Sequence, residues 1–275
     1  MTEVFAHPGA LVVFGLLIGF FGALVGVGGG VFMVPYFVRL LGWRHELAAG
    51  TSLAIVFVNA ASGTIGYARQ KRIDFALGAL LAAGTIPGTF GGKHLMQTIG
   101  GGAFQVAFAV VVAIAAAYLA AQPSRVPQGL GWFRRGWPRS LDDASGLRYQ
   151  YEVNAGFGVL ASVFVGVVAT LFGVGGGFIH VPMLILLYAL PAHVAVPTST
   201  FALLITAAVG TLQNALPWPE PQVDVIALLY TGVGAFAGAQ AGTALAPRVS
   251  APVLRLVLAA LMAGVAVWMA YGGLR

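Results

Sequence analysis

The residues with the most chemical promise in this chain are glycines. Gly26, Gly28, Gly29 and Gly30 surround Val27, with Pro35 following, and the pattern returns as Gly173, Gly175, Gly176 and Gly177 around Val174, followed by Pro182. Glycine lacks a Cβ and has low helix propensity, so such a cluster breaks an otherwise helical run. A helix that restarts after the break begins with free N–H groups and a partial positive charge. That is an anion site requiring no charged side chain. Close packing of helix backbones is the competing use of the same glycines. Hydroxyls recur too: Thr51–Ser52 and Thr198–Ser199 either bind the anion beside the glycines or cap a helix start. His180 follows the second glycine run where the first has Met33. It is either a proton-coupling group or a hydrogen-bonded structural residue. The amides of Asn59, Gln213 and Asn214 read as interhelical hydrogen bonders, and Asp74 and Asp224 as helix caps.

These residues sit on a duplicated framework. At the spacing that carries Gly26 onto Gly173, Thr51–Ser52 falls on Thr198–Ser199 and Gly63 on Gly210. After a short slip, Asp74 matches Asp224, Gly84 matches Gly234 and Gly88 matches Gly238. Each copy contains the same run of apolar segments: about 9–27, 30–42, 47–68, 74–96 and 101–121, then 155–174, 177–190, 194–216, 223–246 and 251–273. The chain is 59% hydrophobic and 8% charged, with 39 glycines and a mean hydropathy of +0.91. A soluble domain carries about a quarter charged residues. Most of these segments are long enough for bilayer hydrocarbon; the short ones after the glycines are not. The expected fold is an all-α polytopic membrane protein. Its first repeat spans 1–121 and its second 153–275, joined by a polar basic linker at 122–152. That linker lies either at headgroup level or in solvent.

The net charge of +6 belongs to loops and follows the positive-inside rule, so no nucleic-acid partner is expected. The turn holding Arg69, Lys71 and Arg72 is basic, whereas its counterpart at 217–224 holds Glu220 and Asp224. Opposite bias in matched loops points to inverted repeats, with the glycine-flanked pair as two short spans or a re-entrant hairpin. Parallel repeats with one broken helix are the alternative. No cysteine is present, which removes disulfides and thiolate metal sites. No HExxH and no paired carboxylates occur within the spans, so neither an enzyme, a metal nor a cofactor is expected.

The elements Gly-Val-Gly-Gly-Gly-x4-Pro, with Ala-Gly-Thr-Ser at 49–52 and Val-Pro-Thr-Ser at 196–199, resemble the sulfite exporter family of the TauE/SafE type over nearly the whole chain. The resemblance implies a multi-pass transporter of a bacterial or archaeal inner membrane, carrying sulfite, organosulfonates or related small anions. The expected mechanism is alternating access, with the two glycine elbows meeting near the midplane between the repeats. A passive anion or small-solute channel is the other reading.

Overall fold

The computed structural model describes residues 7–121, 136–216, 220–248 and 251–273. Its helices are α1 (Pro8–Val25), α2 (Gly30–Pro35, continued by a π-helical turn Tyr36–Leu40), α3 (His45–Arg69), α4 (Phe75–Thr98), α5 (Gly101–Ala121), α6 (Ala155–Phe172), α7 (Gly177–Leu186), α8 (Ala192–Ala215), α9 (Val225–Leu245) and α10 (Ala251–Gly273). Seven of them are long and apolar enough to cross a membrane. Large apolar side chains such as Val13, Phe90, Ile114, Phe164 and Val225 point outward. In a membrane protein that surface meets lipid.

An all-helical chain was expected; the structure adds a sheet. Strands β1 (Trp137–Asp142) and β2 (Arg148–Val153) form an antiparallel hairpin inside the linker. Its turn is closed by Asp143, whose carboxylate accepts from the Ser145 and Leu147 N–H groups, and by Gly146 at φ 84°. Tyr149, Tyr151 and Val153 recur every second residue and face inward, the period of a strand rather than of a helix. The arginines and aromatics at 125–135 lie outside the described residues.

The packing interleaves the two stretches of chain. The Gly15 backbone lies against Thr231, Gly19 against Ala235, and Gly242 against Phe20. Numbers ascend together, so α1 and α9 run parallel with backbones touching. Likewise Gly84 meets Val159, Gly88 meets Val163, and Gly92 meets Val167, making α4 and α6 parallel. Helices α3 and α8 run opposite ways, since Gly63 meets Thr200 and Gly210 meets Leu53. A first bundle therefore holds α1, α2, α3 and α9 around Leu11, Ile18, Met33, Ile55 and Ala235. A second holds α4, α6, α7 and α8 around Leu77, Leu81, Leu184, Tyr188 and Ala202, roofed by Tyr151 and Val153 of the hairpin. Helices α5 and α10 pair beside them, with Phe104, Phe108 and Met262 reaching residues next to the glycines.

These directions sort the charges. Arg69, Lys71, Arg72 and the hairpin's Arg139 and Arg148 gather at one end with Arg248; Arg39, Arg44 and Lys93 belong to the other. The positive-inside rule makes the first end cytoplasmic.

Candidate functional site

Helix α1 ends at Gly26, whose φ of 77° is left-handed and whose N–H returns to the Gly22 carbonyl. Glycine adopts that conformation without a Cβ penalty. Gly28 and Gly29 are also left-handed (φ 79° and 81°), and α2 then starts. The second elbow uses Gly173 (φ 65°) and Gly175 (φ 69°), while Gly176 stays at φ −68° before α7. In α2 the first ladder bonds run from Phe32 and Met33 to the Gly29 carbonyl, and in α7 from Ile179 and His180 to that of Gly176. The N–H groups before them precede any intrahelical acceptor.

The elbows touch. A Cβ on Gly30 would lie 2.6 Å from the Gly173 carbonyl oxygen, and Gly177 presses on the Gly26 carbonyl. Gly28 and Gly175 pack on the same two side chains, Val56 of α3 and Leu203 of α8, near the middle of those long helices. The glycines thus serve both readings of the sequence, the break and the close approach. Val56 and Leu203, with Leu53, Ala60 and Ala207, form a small apolar cluster that fills the gap in front of the elbows.

The predicted hydroxyls divide by role. All four residues are fully buried. The Thr51 hydroxyl accepts from the Asp224 N–H (2.9 Å), and that of Thr198 from the Asp74 N–H (3.0 Å). Neither caps its own helix; Thr51 clamps the start of α9 and Thr198 the start of α4, each from the other stretch of the chain. Ser52 donates to the Gly173 carbonyl (2.7 Å), which holds the second elbow. The Ser199 hydroxyl is buried without a partner. Asn59 donates to the Gly28 carbonyl (3.1 Å) and leaves its own carbonyl oxygen unpaired. Buried polar atoms are nearly always satisfied, so these atoms are open to water or a ligand. His180 lies beside the second elbow, its Nδ1 3.6 Å from where a Cβ on Gly176 would stand. Its Nε2 meets the Ser162 hydroxyl of α6 at 3.1 Å and its Nδ1 is unpaired.

Asp74 and Asp224 both cap, accepting from Leu77 (3.0 Å) and Ala227 (2.7 Å) N–H groups. Asp74 has further partners. Arg139 of β1 grips it through two bonds (2.9 and 2.6 Å), and the Tyr151 hydroxyl of β2 donates to it at 2.8 Å. Burial pushes the Asp74 carboxyl up, but Arg139, the Leu77 N–H and Tyr151 outweigh it and hold the group below its ordinary value. The Ser145 hydroxyl, with the Leu147 and Ser145 N–H groups and Arg72, brings Asp143 down to about 2. Sequence reasoning missed Arg139 and Tyr151 because it left the linker without structure. Val56 and Leu203 gave no signal, being apolar residues in apolar helices.

Known proteins similar to this chain are described as membrane transporters. Residues 6–269 match the family model described as sulfite exporter TauE/SafE. The chain is 28% identical over 255 residues to the probable membrane transporter protein YunE of Bacillus subtilis, covering 90% of this chain and 92% of that one. It is 25% identical over 267 residues to the probable membrane transporter protein YjnA of the same organism, covering 92% and 96%. A probable membrane transporter protein of Xylella fastidiosa is 26% identical over 242 residues, covering 86% and 84%. No solved structure matches the chain. The chain belongs to the sulfite exporter TauE/SafE family, and it is a multi-pass inner-membrane transporter rather than an enzyme.

Proposed function

We propose, from that membership, that this chain carries a small oxyanion, sulfite or an organosulfonate, by alternating access between inverted repeats at 1–121 and 153–275, joined by the linker at 122–152. The observation that carries the reading is the meeting of Gly28 and Gly175 on the same two side chains, Val56 and Leu203, at mid-helix. Two helix starts converge there from opposite directions, and backbone N–H groups with helix dipoles suit an anion with several acceptor oxygens. The glycines 26, 28, 29 and 30, with 173, 175, 176 and 177, line the site. The unpaired Ser199 hydroxyl adds a donor, while Thr51, Thr198 and Ser52 hold the surrounding backbone in place.

Inversion is supported by direction: α3 runs opposite to α8, its match in sequence, while α1 and α9 run with α3, and α4 and α6 run with α8, so each matched pair points opposite ways. Five segments per repeat, counting α2 and α7 as half-spans that turn back, give the odd number that inversion needs. The moving bodies are then the two interleaved bundles rather than the two halves of the sequence. Val56 and Leu203 fill the path in this state, which favours a carrier over an open pore.

The test is counterflow in vesicles holding purified protein. Sulfite loaded inside should drive saturable uptake of labelled organosulfonate, and thiosulfate serves as a competitor. Flux that rises linearly with concentration and shows no exchange sinks the carrier reading.

A further inference from the structure

Asp74 is held by far more groups than a helix cap needs, and they come from three parts of the molecule. Its carboxylate caps α4, binds Arg139 and accepts from Tyr151, while its N–H reaches Thr198 in α8. The Asp74 side chain is 1% exposed and that of Arg139 23%. The hairpin also reaches the other bundle. The Ala144 N–H donates to the carbonyl of Gln70, the residue closing α3 (3.0 Å). The Gln70 side chain in turn donates to the Thr243 carbonyl at the end of α9 (3.0 Å), and Arg72 pairs with Asp143 at 3.4 Å. The carboxylate of the matching cap at the opposite end, Asp224, accepts from the Ala227 N–H alone among the described residues, and its N–H reaches Thr51.

We propose that the β1–β2 hairpin is the latch of the cytoplasmic gate, bridging the two bundles at that end and releasing whenever the elbows open to the cytoplasm. The inference rests on the alternating-access reading. Tyr151 and Val153 sit in the core of the second bundle, and Ala144 is bonded to the end of the first. Parting the bundles at this end must therefore break one set of contacts. Val196 of α8, two residues before Thr198, packs on Gly26 of the first elbow (3.0 Å to a built Cβ). Moving α8 with its bundle to uncover that elbow carries Asp74 and the hairpin held on it away from Gln70. At the other end the described residues join the bundles without a hairpin: His45 Nε2 meets the Met96 carbonyl at 3.3 Å and the Gln222 N–H donates to the Asn214 carbonyl at 2.8 Å. The ion pair there, Arg44–Glu220, stays within the first bundle and spans 3.5 Å between side chains 72% and 74% exposed, a type that contributes little.

The chain contains no cysteine of its own, so crosslinks can be placed singly. Gln70→Cys with Ala144→Cys ties the hairpin to the α3 end. Oxidation should reduce counterflow roughly ten-fold or more, and a reducing agent should restore it. Ser140→Cys with Gln150→Cys joins facing residues of the two strands and stiffens the hairpin without tethering it, so its oxidised form should transport normally. A readout independent of transport is labelling of Val56→Cys by a thiol reagent applied from the cytoplasmic side. Arg139→Gln should increase it, and the oxidised Gln70–Ala144 crosslink should suppress it. Full transport through the formed Gln70–Ala144 crosslink overturns the latch, as does equal loss in the Ser140–Gln150 control. If the reduced protein carries no anion, the transport reading fails instead, and unchanged Val56→Cys labelling in Arg139→Gln would then overturn the latch as well.

Discussion

The two bundles follow matching backbone paths and fill them with different chemistry. In the first, Met33, Ala235 and Ile18 pack an apolar interior, and Gly15 leaves room for α9. In the second, the sequence-matched positions hold His180, Thr85, Val165 and Ser162. There Ser162 bonds His180, and Thr85 bonds Thr206 at 2.6 Å. What both bundles keep is the glycine contact between parallel helices, where a methyl group would strike a carbonyl. In lipid no hydrophobic effect draws helices together, so close backbone approach carries the association. The interior is freer to diverge. The hairpin deepens the asymmetry, since it packs Tyr151 and Val153 into the core of the second bundle and reaches the first through Ala144 and Asp143.

The comparison breaks most sharply at the elbows. If both contribute equally, Gly28→Val and Gly175→Val should each abolish transport while the protein still inserts, as judged by flux and membrane yield. Each forces a β-branched residue to positive φ, at about 1–3 kcal/mol, and drives it against Val56 and Leu203. Normal flux in one variant alone would show that a single elbow carries the anion.

The caps should differ in stability. Asp74→Ala leaves Arg139 and Tyr151 without their partner and should cost about 3–5 kcal/mol. Asp224→Ala removes a cap and should cost about 1 kcal/mol. Thermal unfolding in detergent compares the two, and equal losses would remove the claimed asymmetry.

Acid should loosen the hairpin first. Asp74 and Asp143 both lie below their ordinary values when folded, so the unfolded chain binds protons more readily than the folded one. Their stabilisation is complete above the unfolded carboxyl value of about 4 and fades as pH falls toward about 2. Hydrogen exchange of the 137–153 amides should accelerate across that window before the helices respond.

The smallest effect is expected at His180. His180→Gln keeps a hydrogen bond to Ser162, so stability should change by less than about 1 kcal/mol. If His180 couples protons to transport, the pH profile for a sulfonate that does not titrate in the range should flatten. A profile identical to wild type makes it a packing residue, the counterpart of Met33.

Much of this molecule was legible beforehand because its signals are local. Glycine breaks, segment lengths and the Asp74 and Asp224 caps depend on a few neighbouring residues, and the helices fall close to the expected bounds. What was not legible depends on partners far along the chain. Thr51 and Thr198 looked like ligands or caps of their own helices, yet each clamps a helix start from the other stretch of sequence. Nothing in Val56 or Leu203 distinguishes them from other lipid-compatible residues until α3 and α8 cross. The hairpin left a readable trace, Tyr149, Tyr151 and Val153 alternating beside an Asp–Gly turn, which the linker's charge obscured.

The interleaving also governs how the chain can be made. The glycine face of α1 waits for α9, near the far end of the chain, and α4 waits for α6 beyond the linker. As the ribosome delivers the helices in order, two contact faces must remain against lipid, or against insertion machinery, until their mates emerge. The first 121 residues alone should therefore be poor material for the cell's quality control. Supplied together as two polypeptides divided in the linker, the pieces hold every surface needed to find each other.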